Sequence, residues 1–318
     1  MDVITFGETM VLFSTPQILP LEYVNQFSKQ IGGAESNVAI GLAKQGHQVG
    51  WFGKLGADPF GTFIQKAIRG EGVDTSRCIT TDEAPTGIFF KERKAADKVN
   101  VFYYRKGSAA SKLRPEDLDE EYISQAKILH LTGITPALSA SACDAVFRAI
   151  DIAERHGVKI SFDPNLRLKL WGKAEAKAVL LEIMKHCDYV LPGIEEGEFL
   201  TGETKPKSVA DMLHRYGARS VIVKCGAEGA FYSDGNSSGF VHGFKVKTVV
   251  DPVGAGDGFA SGFLSGILQG EPLDKAVKRG NAVGAYVVQV NGDIEGLPAR
   301  SEVERMLSGT LETADVKR

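Results

Sequence analysis

The chain has 318 residues, 43% of them hydrophobic, and sets 37 Lys and Arg against 40 Asp and Glu for a net charge of −3. That length admits one large α/β domain or two small ones, and the lack of any basic excess argues against nucleic acid as a partner. Four cysteines (Cys78, Cys143, Cys187, Cys225) without a C-x-x-C pair argue against a zinc or disulfide framework and fit a reducing, cytoplasmic setting.

The opening run, MDVITFGETMVLF, lacks a basic leader and reads as a strand rather than a signal peptide. No apolar stretch approaches the roughly 20 residues of a membrane span. β-rich runs then recur at 3–8, 48–56, 128–134, 158–165, 189–194 and 220–226. Between several of them lie helical patterns. In 139–156, Ala142, Ala145, Val146, Ala149, Ile150 and Ala153 repeat at three- and four-residue steps, and 173–186 repeats likewise through Ala176, Val179, Leu180, Ile183 and Met184. Strands alternating with such helices predict βαβ units, an α/β fold and a mostly parallel sheet, with ligands at the carboxyl ends of the strands. No linker or internal repeat divides the chain.

Residues 9–31 and 86–106 are strand-like without a helical pattern. The second reads as a hairpin, two β-rich arms around a polar AADK turn. Pattern alone leaves open whether these stretches form a separate small sheet over a cleft or an edge extension of the main one.

Near the end, FKVKTVVDP reads as a strand and GDGFASGFLSGIL as a helix, with Phe259, Phe263 and Ile267 on one face. Between them lies Gly254-Ala255-Gly256, whose amides, with those of the first helical turn, suit an anion. The loop is neither a Walker A sequence nor a completed G-x-G-x-x-G, which weakens an oxidoreductase reading. Asp257 in that turn has two readings. It is a helix N-terminal acid favouring the macrodipole, or a base that takes a proton from a substrate hydroxyl while the amides hold phosphoryl charge. Asp251, before Pro252, reads as a strand terminator that supports the turn. The six histidines (47, 130, 156, 186, 214, 242) show no metal-ligand spacing, and His130 reads as buried and hydrogen-bonded. Trp51 and Trp171 read as core or pocket-wall aromatics.

DPVGAGD (251–257) resembles the C-terminal signature of the ribokinase-like (PfkB) carbohydrate kinases, and IGGAESNVAIGLAKQG (31–46) resembles their N-terminal Gly-Gly…Asn signature. Both occur in the right order, and the resemblance covers the whole chain. VFYYRKGSAAS (101–111), ILHLTGITPALS (128–139), FDPNLRLKLW (162–171) and LPGIEEGE (191–198) narrow it to the 2-keto-3-deoxygluconate kinases within that family. The resemblance implies a single domain with a ribokinase-like three-layer αβα core and a β-sheet lid formed within about 9–31 and 86–106. It also implies ATP as donor, Mg²⁺, and a homo-oligomer paired through the lid strands.

It implies residue roles as well. Asp257 matches the catalytic base, and Gly254, Ala255 and Gly256 match the anion hole. Gly33, Ala34 and Asn37 match positions holding the sugar hydroxyls. Phe89, Tyr103 and Arg105 match lid residues on the sugar acid. Arg167 matches the substrate–phosphate junction, with Asn165 beside it toward the nucleotide. Lys224, Gly226, Ala227 and Gly229 match a turn around the ATP phosphates, and Asn281 is expected to begin a helix flanking adenine. The family's Asn-x-x-Glu is altered, with Gly193 in place of Asn, so Glu196 is expected to meet the metal only through water. Pro252 removes a hydroxyl and an N–H beside Asp251, which argues against the K⁺ ion that some relatives bind there.

Chemistry points to a sugar acid independently of the resemblance. Strand alternation puts Tyr103 and Arg105 on one face, and the planar forks of Arg105 and Arg167 suit a carboxylate. On sequence alone, Arg105 is equally a surface cation. The leading expectation is phosphorylation of 2-keto-3-deoxygluconate to its 6-phosphate. A fructokinase of the same family is the alternative, and a non-catalytic sugar- or nucleotide-binding regulator has no need of a base at Asp257.

Overall fold

Strand runs that are apolar on both faces, such as VITF at 3–6 and ILHLT at 128–132, require cover on two sides. The computed structural model, which describes residues 1–15, 17–95 and 98–309, supplies it. Strands are numbered in chain order: β1 Val3–Phe6, β2 Met10–Ser14, β3 Ser28–Gly32, β4 Val49–Phe52, β5 Lys54–Gly56, β6 Ile79–Thr81 and β7 Ile88–Ala95. The others are β8 Lys98–Tyr104, β9 Ile128–Thr132, β10 Lys159–Asp163, β11 Tyr189–Val190, β12 Ser220–Lys224, β13 Gly229–Ser233 and β14 Ser238–His242.

The main sheet has eight strands in the order β14-β13-β12-β11-β10-β9-β1-β4. It is parallel from β4 to β12, and β13 and β14 pair antiparallel at one edge. Alternation along each strand feeds two cores. Ile4, Phe6, Leu129, Leu131, Ile160 and Phe162 pack with the helices Ala140–His156 and Lys173–Met184. Val3, Ile128 and Ile222 face the other way, toward Ala34–Lys44, Ala255–Leu268 and Leu273–Val287. The result is a three-layer α/β fold. From β1 the chain passes to β4 on one side and later to β9 on the other, so a crevice opens at the carboxyl ends of β1 and β9.

A second sheet, β3-β2-β7-β8, stands apart from the main one, and β5 and β6 form a short ribbon. The arms at 86–106 pair as an antiparallel hairpin, Phe89 opposite Tyr103 and Lys91 opposite Val101. The centre of the AADK turn, residues 96 and 97, lies outside the described residues.

Two expectations about local structure fail. FKVKTVVDP is not a strand: after β14 the chain leaves the sheet, and residues 243–253 run irregularly with Val249 59% exposed. The pattern was β-like, but a strand needs a partner. Here the amides of Val250 and Asp251 turn instead to the carbonyl of Val288. Asn281 does not begin a helix. It sits inside Leu273–Val287, buried, with its amide donating to the carbonyls of Val241 at 3.0 Å and His242 at 3.3 Å. Those bonds offset the cost of a buried amide and lash the helix to the edge strand.

Candidate active site

A cavity of about 340 Å³ lies at the carboxyl ends of the main strands, beneath the small sheet. It shares Val101, Tyr103, Arg105 and Arg167 with an open cleft of about 1560 Å³ that runs along β8 and residues 166–170. Each wall follows from a chain reversal that polar residues can line. Glu8 follows β1, Ile134 follows β9, Asp163 ends β10 with Asn165 just beyond it, and Lys224 ends β12.

Asp257 stands in the first turn of the helix Ala255–Leu268. Gly254 caps this helix with φ +82°, a left-handed conformation that glycine adopts freely, and a Cβ there would meet the carbonyl of Asp293 at 2.9 Å. The first amides of a helix have no partner within it; that of Ala255 reaches the Pro252 carbonyl at 3.4 Å, and those of Gly256 and Asp257 remain available to an anion. Asp257 Oδ2 accepts from the Asn37 side chain at 2.8 Å, and Oδ1 faces the Asn165 amide at 3.4 Å. Burial pushes the Asp257 carboxyl up to about 7. The Asn37 bond and Lys224 oppose this, while Asp163 and Asp293 add to it.

Asn37 is brought in by the helix Ala34–Lys44. The cap of that helix, Gly33, packs so tightly on the strand side that a Cβ would lie 2.8 Å from Thr9 Oγ1. Asn37 Oδ1 is buried without a partner and adjoins the cavity, an acceptor available to a hydroxyl. Asn165 has φ +38°, the only non-glycine with positive φ among the described residues. Asparagine tolerates that conformation better than most residues. Its side-chain amide approaches Asp257 Oδ1.

The cations are differently engaged. Lys224 Nζ lies 2.6 Å from Asp163 Oδ2; burial works against its charge, but Asp163 and Glu196 raise its pKa. Arg105 is buried, not a surface cation: it pairs with Glu8, which also accepts from Ser108 Oγ at 2.5 Å, and its Nε has no partner. Arg105 lies under the Tyr103 ring at 5.6 Å, and Tyr103 stacks on Phe89 at 5.5 Å, so the alternation along β8 delivers both side chains to the cavity. Arg167 is exposed and, among the described residues, donates only to the Leu166 carbonyl, at 3.2 Å.

Glu196 accepts from the Gly193 amide at 2.7 Å and the Leu166 amide at 2.8 Å. Burial, then the Asp163 charge, raises its pKa. Both its oxygens thus serve backbone N–H groups.

Gly33, Ala34, Asn37, Phe89, Tyr103, Arg105, Asn165, Arg167, Glu196, Lys224, Gly254, Gly256 and Asp257 all line this one cavity. Ala255 lies in the same turn but not on the wall. Gly226, Ala227 and Gly229 stand outside it, in the turn that reverses the chain from β12 into β13, and Asn281 does not line it. Asp251 terminates no strand. It is 3% exposed, and its Oδ1 accepts from Val253 N at 3.0 Å. Sequence reading missed Glu8, Lys91, Asp163 and Asp293. Of these, Glu8 and Asp163 carried a signal, their place at a strand's carboxyl end.

The model of the pfkB family of carbohydrate kinases matches residues 1–300. A 2-dehydro-3-deoxygluconokinase of Bacillus subtilis is 46% identical over 310 residues, covering 97% of this chain and 96% of its own. The solved structure of a 2-dehydro-3-deoxygluconokinase from Thermotoga maritima superposes with a TM-score of 0.90 at 29% identity, over 97% of this chain and 98% of that one. An Escherichia coli structure described as a ribokinase II in complex with ATP and Mg²⁺ gives a TM-score of 0.90 at 26% identity, over 97% and 99% of the two chains.

Proposed function

This chain belongs to the pfkB family of carbohydrate kinases, and we propose that it transfers the γ-phosphoryl group of ATP to the terminal hydroxyl of 2-keto-3-deoxygluconate. The observation that carries the chemistry is Asp257, a carboxylate near neutral pKa in the same turn as a glycine-capped helix start. A sugar hydroxyl is a weak nucleophile until its proton can leave, and phosphoryl transfer places charge on oxygens that need N–H donors. Asp257 accepts the proton as the hydroxyl attacks in line. The amides of Gly256 and Asp257 receive the charge, and Asn37 and Asn165 orient the carboxylate.

Among the described residues no cluster of three or more His, Cys, Asp or Glu could hold a metal unaided. That suits Mg²⁺, which keeps its waters and binds through one or two carboxylates plus substrate phosphates. Asp163 and Glu196 would hold it through water, because both oxygens of each are already engaged. Bound there, the ion offsets phosphate charge. The small sheet acts as a lid, laying Phe89 and Tyr103 against the sugar and excluding water that would compete as acceptor.

The substrate's carboxylate is read by Arg167, which has no carboxylate partner among the described residues, and by the unpartnered Nε–H of Arg105. The name of the B. subtilis relative supports this acceptor. A second reading, a fructokinase, draws on the pairing of Arg105 with Glu8, which leaves less positive charge for a sugar acid. A coupled assay of ADP release with 2-keto-3-deoxygluconate, its galactose-derived epimer, fructose and ribose separates the two. The sugar acid should give the highest kcat/KM; a preference for fructose would reverse the assignment.

A further inference from the structure

Lys91 belongs to no motif, yet it occupies the most costly position near the cavity. It lies on β7 two residues beyond Phe89, so it points inward, and it is only 4% exposed. Its Nζ stands 2.9 Å from Asp251 Oδ2 and 2.9 Å from Asp293 Oδ1. These two aspartates flank Gly254 on both sides. Asp251 begins the turn and fixes Val253 N through its other oxygen, while the backbone carbonyl of Asp293 lies against Gly254. The ammonium therefore pins the two stretches of backbone that clamp the glycine turn, and it does so from the other sheet.

A buried ion triad of this kind is weak evidence for stability, since apolar residues of similar volume often pack as well or better. Its placement suggests another reason for it. We propose that Lys91 is a positioning residue for phosphoryl transfer: by bridging Asp251 and Asp293 it holds the flanks of Gly254 at the spacing the phosphoryl site needs, and only while the small sheet is seated. Closure of that sheet and formation of a competent glycine turn are then one event. The inference rests on the phosphotransfer reading above.

Lys91→Ala leaves a space between two carboxylates that a small ammonium ion can enter. The enzyme is assayed with methylammonium chloride and, at equal ionic strength, tetramethylammonium chloride. In Lys91→Ala, kcat should fall about 10-fold to 100-fold, as for a misplaced catalytic turn, with little change in KM for the sugar acid. Methylammonium should restore kcat several-fold, and tetramethylammonium, too large to bridge the pair, should not. Failure of methylammonium to restore any activity would overturn the proposal.

A second variant, Lys91→Met with Asp293→Asn, removes the bridge but leaves the net buried charge unchanged. Its melting temperature should recover toward that of the wild type while kcat stays low. A wild-type kcat there would reduce Lys91 to charge balance and overturn the proposal, and this variant decides the matter if Lys91→Ala does not fold. Wild-type enzyme inactive on every acceptor would instead count against the phosphotransfer reading. Lys91 is then judged by binding of a non-hydrolysable ATP analogue, which should be weaker in the double variant; unchanged binding would overturn the proposal.

Discussion

The side-chain amide of Asn37 donates to the carboxylate of Asp257 at 2.8 Å, joining the first turns of two helices across 220 residues of chain. Asn37 stands in Ala34–Lys44 and Asp257 in Ala255–Leu268, and the two helices lie on the same face of the main sheet. The bond fixes which way the carboxylate faces, so a carboxylate of raised pKa and the helix-start amides of Gly256 and Asp257 share one small space.

That placement sets a pH dependence. Asp257 must be ionised to accept a proton, and burial raises its pKa from the ordinary 3.8 to about 7. As pH falls through about 7, kcat/KM for the sugar acid, which reports the enzyme form that has yet to bind it, should decline with a slope of one proton. The check is a profile of kcat/KM from pH 5.5 to 9 at saturating ATP. An acid limb near pH 4 would mean that the carboxylate is not held as described.

The same shift has a consequence for stability. An aspartate that binds its proton more tightly in the folded state than in the unfolded one loses folding free energy as pH rises from about 4 to about 7. Asp257→Asn removes that loss. Since the group is partly open to the cavity, the gain above pH 7 should be modest, on the order of 1–2 kcal/mol, or a few degrees in melting temperature. The gain should vanish near pH 4. Differential scanning fluorimetry at pH 4.5 and pH 8 measures it, and an equal shift at both would refute the electrostatic cause.

The two arginines should respond differently to removal. Arg167 is exposed and makes no ion pair among the described residues, so Arg167→Ala should raise KM for the sugar acid by about 10-fold to 100-fold, as for loss of a charge-assisted hydrogen bond. Melting temperature should hardly move. Arg105→Ala also leaves Glu8 buried without its partner, so a lower melting temperature should accompany the rise in KM. Steady-state kinetics beside thermal melts separates the effects. Unchanged KM for the sugar acid in both variants would remove the carboxylate-binding role.

How far the sequence carried this reading depends on what each residue's signal was. The alternation of strands and helices was legible because burial on two faces leaves runs such as VITF and ILHLT, and the glycine turn because small residues between a polar pair and an apolar helix have few other uses. The strand expected at 244–252 failed because periodicity describes a strand's faces and not whether a neighbour is there to pair with it. Lys91 was invisible because a lysine within a strand reads as solvent-facing. Its inward side is evident only once β7 is known to lay Phe89 over the cavity. Asp293 sits in a stretch that reads as a turn, and the pairing of Glu8 with Arg105 joins segments whose proximity is created by the small sheet. In each case the missing information was a long-range contact.

The claim on which the rest depends is that Asp257 takes the proton from the acceptor hydroxyl. It is tested most directly by the kcat of Asp257→Asn with 2-keto-3-deoxygluconate and ATP at pH 8, alongside binding of both substrates. Asparagine keeps the shape and a partner for Asn37 but cannot accept the proton. The expected result is a fall in kcat of about 10²–10⁴, the range for general-base loss, with both substrates still bound. A kcat within a few-fold of the wild type would contradict the account.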